Sequence, residues 1–480
     1  MPQTQEVDEG QARAALIVHD HVAVDAARAA VHEQTDPSAA PGACQPRIGH
    51  PVAALSPTRL DASPEDVLYV LLVISGGSRL DDRLTSDDFV RDPYAVYRAL
   101  RSQDPVHWCE PWAAWVVTRH DDVTEVLRRV DDFSSAGYEL EMLRQGARLG
   151  PGGHPALRRH FSTPILSTTD PPVHTRLRRL LVKRFTPGVV ESLRPRVGEL
   201  IAGLLDDIGP GSTVDLLSRF AYPLPAMVIA ELLGVPAADQ HRFAGWSADI
   251  VAFVGTGRIE PGRAARAEQS MGEFQAYLEP LIARRRQEPG PDLISLLVAP
   301  SPDALDHDEL VGACVTLLFA GHETTANLIG NGLLALLERP AAIELLRRTP
   351  EAYGQAVEEL LRFDSPVQRN RRRTSRDTEL AGRRIRAGDR VLAFLGSANR
   401  DEAVFAEPDE LDLLRGPTKH LAFGYGIHYC IGAALSRLEA PMALAAVLDR
   451  FPGIRLEPGA PREWKPNITF RGLAQLIVRV

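Results

Sequence analysis

The sequence predicts a mainly α fold with minor β, and three observations carry that prediction. Long segments at 172–185, 189–208, 222–233, 266–286, 308–338, 341–347, 351–363 and 433–450 are amphipathic or apolar at helical period. One stretch within them, Leu310 to Leu337, is apolar on nearly every face, the pattern of a helix buried through the middle of a domain. Strand-like runs are few and short, at 379–385, 390–394 and 475–480.

Taken in order, residues 1–80 read as a poorly ordered N-terminal extension. Their Ala-rich stretches and the Pro-containing run from Pro37 to Pro64 sustain no apolar period. From Asp87 the texture becomes that of a compact domain, and residues 81–480 are read as one unit. Pro93 to Leu100 suits a helix, and Ala114 to Thr118 a strand leading into a helix at Asp121 to Val130. Gly137 to Pro164 is Gly-rich and poorly periodic, which reads as a loop. The helical segments follow it, with the short strands among or after them. No internal repeat is present.

Composition narrows the possible functions. A net charge of −9 gives no footing for nucleic acid. Cys44, Cys109, Cys314 and Cys430 are scattered without a CxxC pair, a poor framework for disulfides or zinc and a good match to a reducing cytosol. The first residues are polar and acidic, unlike a signal peptide. The most apolar early run, Val67 to Ile74, is far shorter than the roughly 20 residues a membrane span needs. The expectation is a cytoplasmic protein with no membrane and no nucleic-acid partner. Lysine is scarce, confined to Lys183, Lys419 and Lys465.

The chemistry concentrates in four motifs. The first is Phe423-Gly-Tyr-Gly-Ile-His-Tyr-Cys-Ile-Gly432, whose alternate glycines allow a tight loop just before the helical pattern Ile431 to Leu448. There the Cys430 thiolate would meet free backbone N–H groups and the positive end of a helix dipole. A small buried hydrophobe and a nucleophile with an unseen base remain alternatives for Cys430. The second is Ala320-Gly-His-Glu-Thr-Thr325, which sets Glu323 and Thr324 inside an apolar helix where polar groups need partners. Beside Gly321, a hydroxyl bonding back to the helix can loosen it and admit water or a diatomic ligand. A satisfied polar break in a core helix is the plain alternative. A zinc-binding HExxH is excluded, since Ala326 stands at the second histidine position. The third is Glu359-Leu-Leu-Arg362, an opposite-charge pair on one helical face. The fourth is Asp170-Pro-Pro-Val-His-Thr-Arg-Leu-Arg178, where His174 and Arg178 share a face; a solvated basic helix is the alternative there.

In combination and order these motifs resemble the cytochrome P-450 superfamily, specifically its soluble bacterial members, from about Asp87 to Val480. The resemblance implies a single domain with haem between a long central helix and a Cys-ligand loop. It implies heme b (iron-protoporphyrin IX), thiolate-ligated by Cys430, with Phe423 packed beside it. His174, Arg178, Arg372 and His420 stand like the family's partners for the haem propionates, with Arg369, Arg371 and Arg373 crowding Arg372. Thr324 would sit at the groove above the iron, with Glu323 relaying protons. Glu359, Arg362 and Arg415 would form a buried structural ion network. The implied activity is a monooxygenase inserting one atom of O2 into a small-molecule substrate, as a tailoring hydroxylation or epoxidation in specialised metabolism. Oxidative coupling, desaturation and a non-catalytic haem sensor are the other outcomes, the last opposed by the Glu323–Thr324 pair. Electrons would come from a separate ferredoxin and ferredoxin reductase, with the helix carrying Arg176, Arg179, Lys183 and Arg184 facing the acidic donor. Substrate contacts are expected from Gly137 to Ser167, Phe243 to Phe253, Leu318 and Phe319, Val367 to Asn370, and Phe470.

Overall fold

In a computed structural model the described residues are 79–137, 154–254 and 261–480. Almost all of the extension expected over 1–80, and most of the Gly-rich loop, lie outside the described residues. The helices that position the site are α1 (Val173–Leu181), α2 (Pro223–Leu233), α3 (Gln240–Val254), α4 (Pro261–Gln287), α5 (His307–Leu337), α6 (Tyr353–Phe363) and α7 (Ala433–Arg450). Among the described residues no helix is long and apolar enough to cross a membrane.

Helix α5 is the axis. It opens on a reciprocal cap: the Glu309 amide donates to the Asp306 carboxylate at 2.8 Å, and the Asp306 amide donates to Glu309 at 3.0 Å. Beyond that cap most of its side chains are buried, because α2, α3, α6 and α7 pack around it. A Cβ on Gly330 would fall 2.6 Å from Leu217 Cδ2, so glycine there lets a π-helical turn, Leu217–Ala221, lie directly on the axis.

The strands are β1 (Val106–Cys109), β2 (Ala114–Val117), β3 (Phe133–Ser134), β4 (Thr213–Asp215), β5 (Asn370–Thr374), β6 (Thr378–Leu380), β7 (Arg383–Ile385), β8 (Arg390–Ala393), β9 (Arg455–Leu456) and β10 (Ile477–Arg479). The largest sheet runs β1-β2-β8-β5-β3; β2 and β8 are parallel and its other pairs antiparallel. Strand β5 leads the chain from α6 along the chamber described below.

Several local readings change. The run at 379–385 is the hairpin β6–β7, turned at Ala381 and Gly382, both at positive φ. The segment 189–208 breaks at Leu193 into Pro187–Ser192 and Arg194–Asp206, where Pro195 suits a fresh first turn. Pro155–Ser162, inside the stretch read as loop, is a helix that buries Leu157 and Phe161. Helix α3 and strand β5 were not assigned from sequence; β5 reads Asn-Arg-Arg-Arg-Thr and lacks the apolar alternation of a half-buried strand.

Helix α7 carries Glu439, 2% exposed, with no partner for its Oε2 atom. Burial lifts this carboxyl from the ordinary 4.5 to about 8, so it is neutral at pH 7. As pH rises the unfolded chain ionises first, and stability falls between 4.5 and about 8. Glu439→Gln is therefore expected to raise Tm at pH 7, on the order of 2 kcal/mol in stability, and to leave Tm unchanged near pH 4. A shift of equal size at both pH values would contradict this account.

Candidate active site

The loop before α7 is built on two left-handed glycines, Gly424 (φ +72°) and Gly426 (φ +70°). A Cβ on Gly426 would lie 3.1 Å from the Leu127 carbonyl oxygen, so only glycine allows this approach. The Cys430 amide donates to the Phe423 carbonyl at 2.8 Å, which closes the loop and aims the sulfur inward. Cys430 is open to a chamber on one side and walled by protein elsewhere. Burial pushes its thiol up; the amides of Gly432 and Ala433, with the Arg178 and Arg437 cations, act in the opposite sense.

The chamber has a volume of about 370 Å³. Its walls come from α5, from the Cys430 loop, from residues 366–372 and from Thr469 and Phe470. Leu317, Phe319, Ile229 and Val367 make much of the lining apolar. Thr324 lines it, its hydroxyl donating back to the Ala320 carbonyl at 2.8 Å, beside Gly321. Glu323 does not line it. Its carboxylate, 2% exposed, turns away to accept from Lys465 Nζ at 2.8 Å and Asn327 Nδ2 at 3.2 Å. The neighbouring His322 is buried against Tyr222 (ring centroids 5.7 Å apart), and burial lowers it to about 4, so it is a neutral imidazole.

Along one rim lies a cluster of donors. Arg372 lines the chamber with Nε and one terminal nitrogen unpartnered, and burial pulls it down to about 10. His174 and His428 stand with ring centroids 4.4 Å apart, the Nε2 atom of each without a partner. Burial, then the nearby Arg372 charge, lowers His428 to about 3. Arg178 donates to the Tyr429 carbonyl at 2.8 Å and bears electrostatically on Cys430. The structure thus lines one chamber with Arg372, Phe423 and Cys430, and sets His174 and Arg178 behind that lining, against His428 and the Tyr429 carbonyl. His420 is elsewhere: Nδ1 accepts from the Ala422 amide at 3.2 Å and Nε2 donates to Glu358 at 3.1 Å, so both ring nitrogens are engaged outside the lining. His428 was singled out by no role in the sequence, although it occupies the histidine position of the glycine-cysteine motif.

The basic face of α1 and of the short turn after it (Val182–Arg184) is partly consumed inside the chain. Arg176 forks onto Glu309, Arg179 pairs with Asp303 at 2.7 Å, and Arg184 reaches the Asp292 carbonyl. Lys183 stays exposed.

Buried donors with unfilled hydrogen bonds on the rim, a sulfur at a helix N-terminus on the floor and an apolar wall opposite suit a flat, dianionic, metal-bearing macrocycle. This constellation defines a haem-thiolate protein. The Cytochrome P450 family model matches residues 247–349 and 353–467. Cytochrome P450 107B1 of Saccharopolyspora erythraea is 40% identical over 409 residues, covering 83% of this chain and 98% of that protein. The 6-deoxyerythronolide B hydroxylase of the same organism is 38% identical over 83% of this chain and 98% of its own. Among solved structures, CYP109E1 from Bacillus megaterium in complex with testosterone superposes with a TM-score of 0.73 at 34% identity, covering 82% of this chain and 99% of that one. The chain belongs to the cytochrome P450 family. It is an oxygen-incorporating oxidoreductase whose cofactor is thiolate-ligated heme b.

Proposed function

We propose that this chain inserts one atom of O2 into a small, largely apolar substrate, as a hydroxylation or epoxidation that tailors a specialised metabolite. The observation that carries this reading is the single chamber shared by the Cys430 sulfur, the Thr324 hydroxyl and the apolar wall. The relatives support the substrate class: one is by name a hydroxylase of 6-deoxyerythronolide B, and the solved neighbour holds testosterone.

In this reading Cys430 is the iron ligand, and Arg372, His174, His428 and Arg178 hold the propionates. The haem, when bound, supplies dioxygen activation, helped by electron donation from the sulfur. The apolar lining orients substrate and excludes water. Thr324 would present its hydroxyl to the chamber that holds the haem, and Glu323, turned away onto Lys465, would pass protons toward it. Protons then enter from the Lys465 side. Electrons come from a separate ferredoxin and reductase in the cytoplasm, docked where Tyr425 and Tyr429 of the Cys430 loop and the neighbouring Arg128 are exposed.

The test is titration of the ferric enzyme with macrolactones and steroids, followed by product analysis. A low-to-high spin shift and one added oxygen atom per product are expected; a shift with only dehydrogenated or dimeric products would overturn oxygen insertion. Thr324→Ala is expected to lower product per electron consumed by about tenfold while oxygen uptake continues. Undiminished coupling would remove Thr324 from proton delivery.

A further inference from the structure

Helix α6 places two adjacent carboxylates on opposite duties. Glu359 turns inward to Arg362 and Arg415. Glu358 turns toward the Cys430 loop, where one carboxylate gathers three donors: Arg437 Nε at 2.7 Å, Arg437 Nη2 at 2.8 Å and His420 Nε2 at 3.1 Å. The Ala422 amide donating to His420 Nδ1 fixes the tautomer that gives Nε2 its proton. Arg437 has a third engagement, donating through Nη1 to the Tyr429 hydroxyl at 2.9 Å. Its guanidinium lies 4.5 Å from the centroid of Phe423. Phe423 accepts the Cys430 amide on its carbonyl, and Tyr429 precedes the cysteine. A single planar cation therefore touches both residues that flank the sulfur, and a single anion holds that cation.

We propose that Glu358, Arg437 and His420 form a clamp that positions the Cys430 loop, and that the Arg437 charge sets the electron affinity of the thiolate-bound iron. Glu358 and His420 are positioning residues, acting through Arg437. The proposal rests on Cys430 being the iron ligand. Burial alone would raise the Glu358 carboxyl, but the hydrogen bonds from Arg437 and His420 outweigh it and hold it at about 2, so the pair is charged at any working pH. Removal of Arg437 leaves Glu358 with the His420 hydrogen bond and a side chain 30% exposed to water. A nearby cation favours the reduced, more negative state of an iron-thiolate centre, and a nearby anion opposes it. The two partners must then act with opposite signs.

The experiment is spectroelectrochemical titration of substrate-free holoenzyme in wild type, Arg437→Gln, Arg437→Lys and Glu358→Gln, each with its reduced carbon-monoxide spectrum. Expected is a negative shift of the ferric/ferrous midpoint for Arg437→Gln and a positive shift for Glu358→Gln. In the latter, Tyr429 and the Phe423 ring still hold the cation. Arg437→Lys keeps the charge and loses the fork. It is expected to keep the wild-type midpoint while losing thiolate ligation sooner on mild denaturation, read from the carbon-monoxide band. Shifts of one sign in both variants, or an unmoved midpoint in Arg437→Gln with the thiolate band intact, would overturn the proposal. Absence of the thiolate band in wild type would instead refute Cys430 ligation itself.

Discussion

Cys430→Ser is expected to abolish the red-shifted Soret band of the reduced carbon-monoxide complex, and with it all product formation. The band reports thiolate ligation of the haem iron, and serine offers a hydroxyl too weakly acidic to replace the thiolate. The loop should survive the change. Its shape comes from Gly424, Gly426 and the Cys430 amide, none of which needs sulfur. Arg372 also keeps its unpartnered donors, and His174 and His428 their unpartnered ring nitrogens, so some macrocycle should still be retained. The expected result is a protein of near-normal fold, with haem bound more weakly and without the thiolate signature. Retention of that signature in the serine variant would sink the ligand assignment.

The second large effect concerns stability. Arg362 is fully buried, and all its donors are satisfied: two bonds to Glu359 at 2.7 Å, and others to the carbonyls of Asn399, Pro408 and Glu410. Glu359 also accepts from Arg415 and from the Asp412 amide. Arg362→Ala leaves the buried Glu359 carboxylate with Arg415 and the Asp412 amide in place of its bidentate partner, and strands the carbonyls of Asn399 and Pro408. Breaking a buried pair in this way costs about 3–5 kcal/mol, against the roughly 5–15 kcal/mol that holds a domain together. We expect little soluble holoprotein and a midpoint in urea lowered well beyond that of surface changes. Arg362→Lys should fare little better, since an ammonium cannot span the fork and the carbonyls together. A variant with wild-type urea midpoint would show that the network is incidental to stability.

How much of this was legible beforehand follows from where the information sits. Helix α7 was read at 433–450, its observed span, because apolar period and a preceding glycine are local signals. Arg372 stands among four crowded arginines that sequence alone does not separate; its unpartnered Nε and Nη2 atoms at the chamber depend on the fold. Strand β5 was invisible because charged residues form it, and its place is set by pairing with β8 and β3. The tie between Glu323 and Lys465 joins residues far apart in sequence, as does that between His420 and Glu358. No local pattern encodes either. The same limit explains α1: its arginines read as a solvated cationic face, whereas Glu309 and Asp303 arrive from a distant segment to neutralise two of them.

The stretch from Lys465 to Gly472 has a consequence in time as well as in space. It gives Lys465 to Glu323, Thr469 and Phe470 to the chamber wall, Arg471 to Asp364, and a glycine pressed against Asn327. These residues follow every other lining element in the chain, so a ribosome finishes α5 and the cysteine loop well before it makes them. A nascent chain therefore cannot close the chamber as it emerges. The closed chamber can form only after synthesis has passed Phe470, with α5 and the cysteine loop already made.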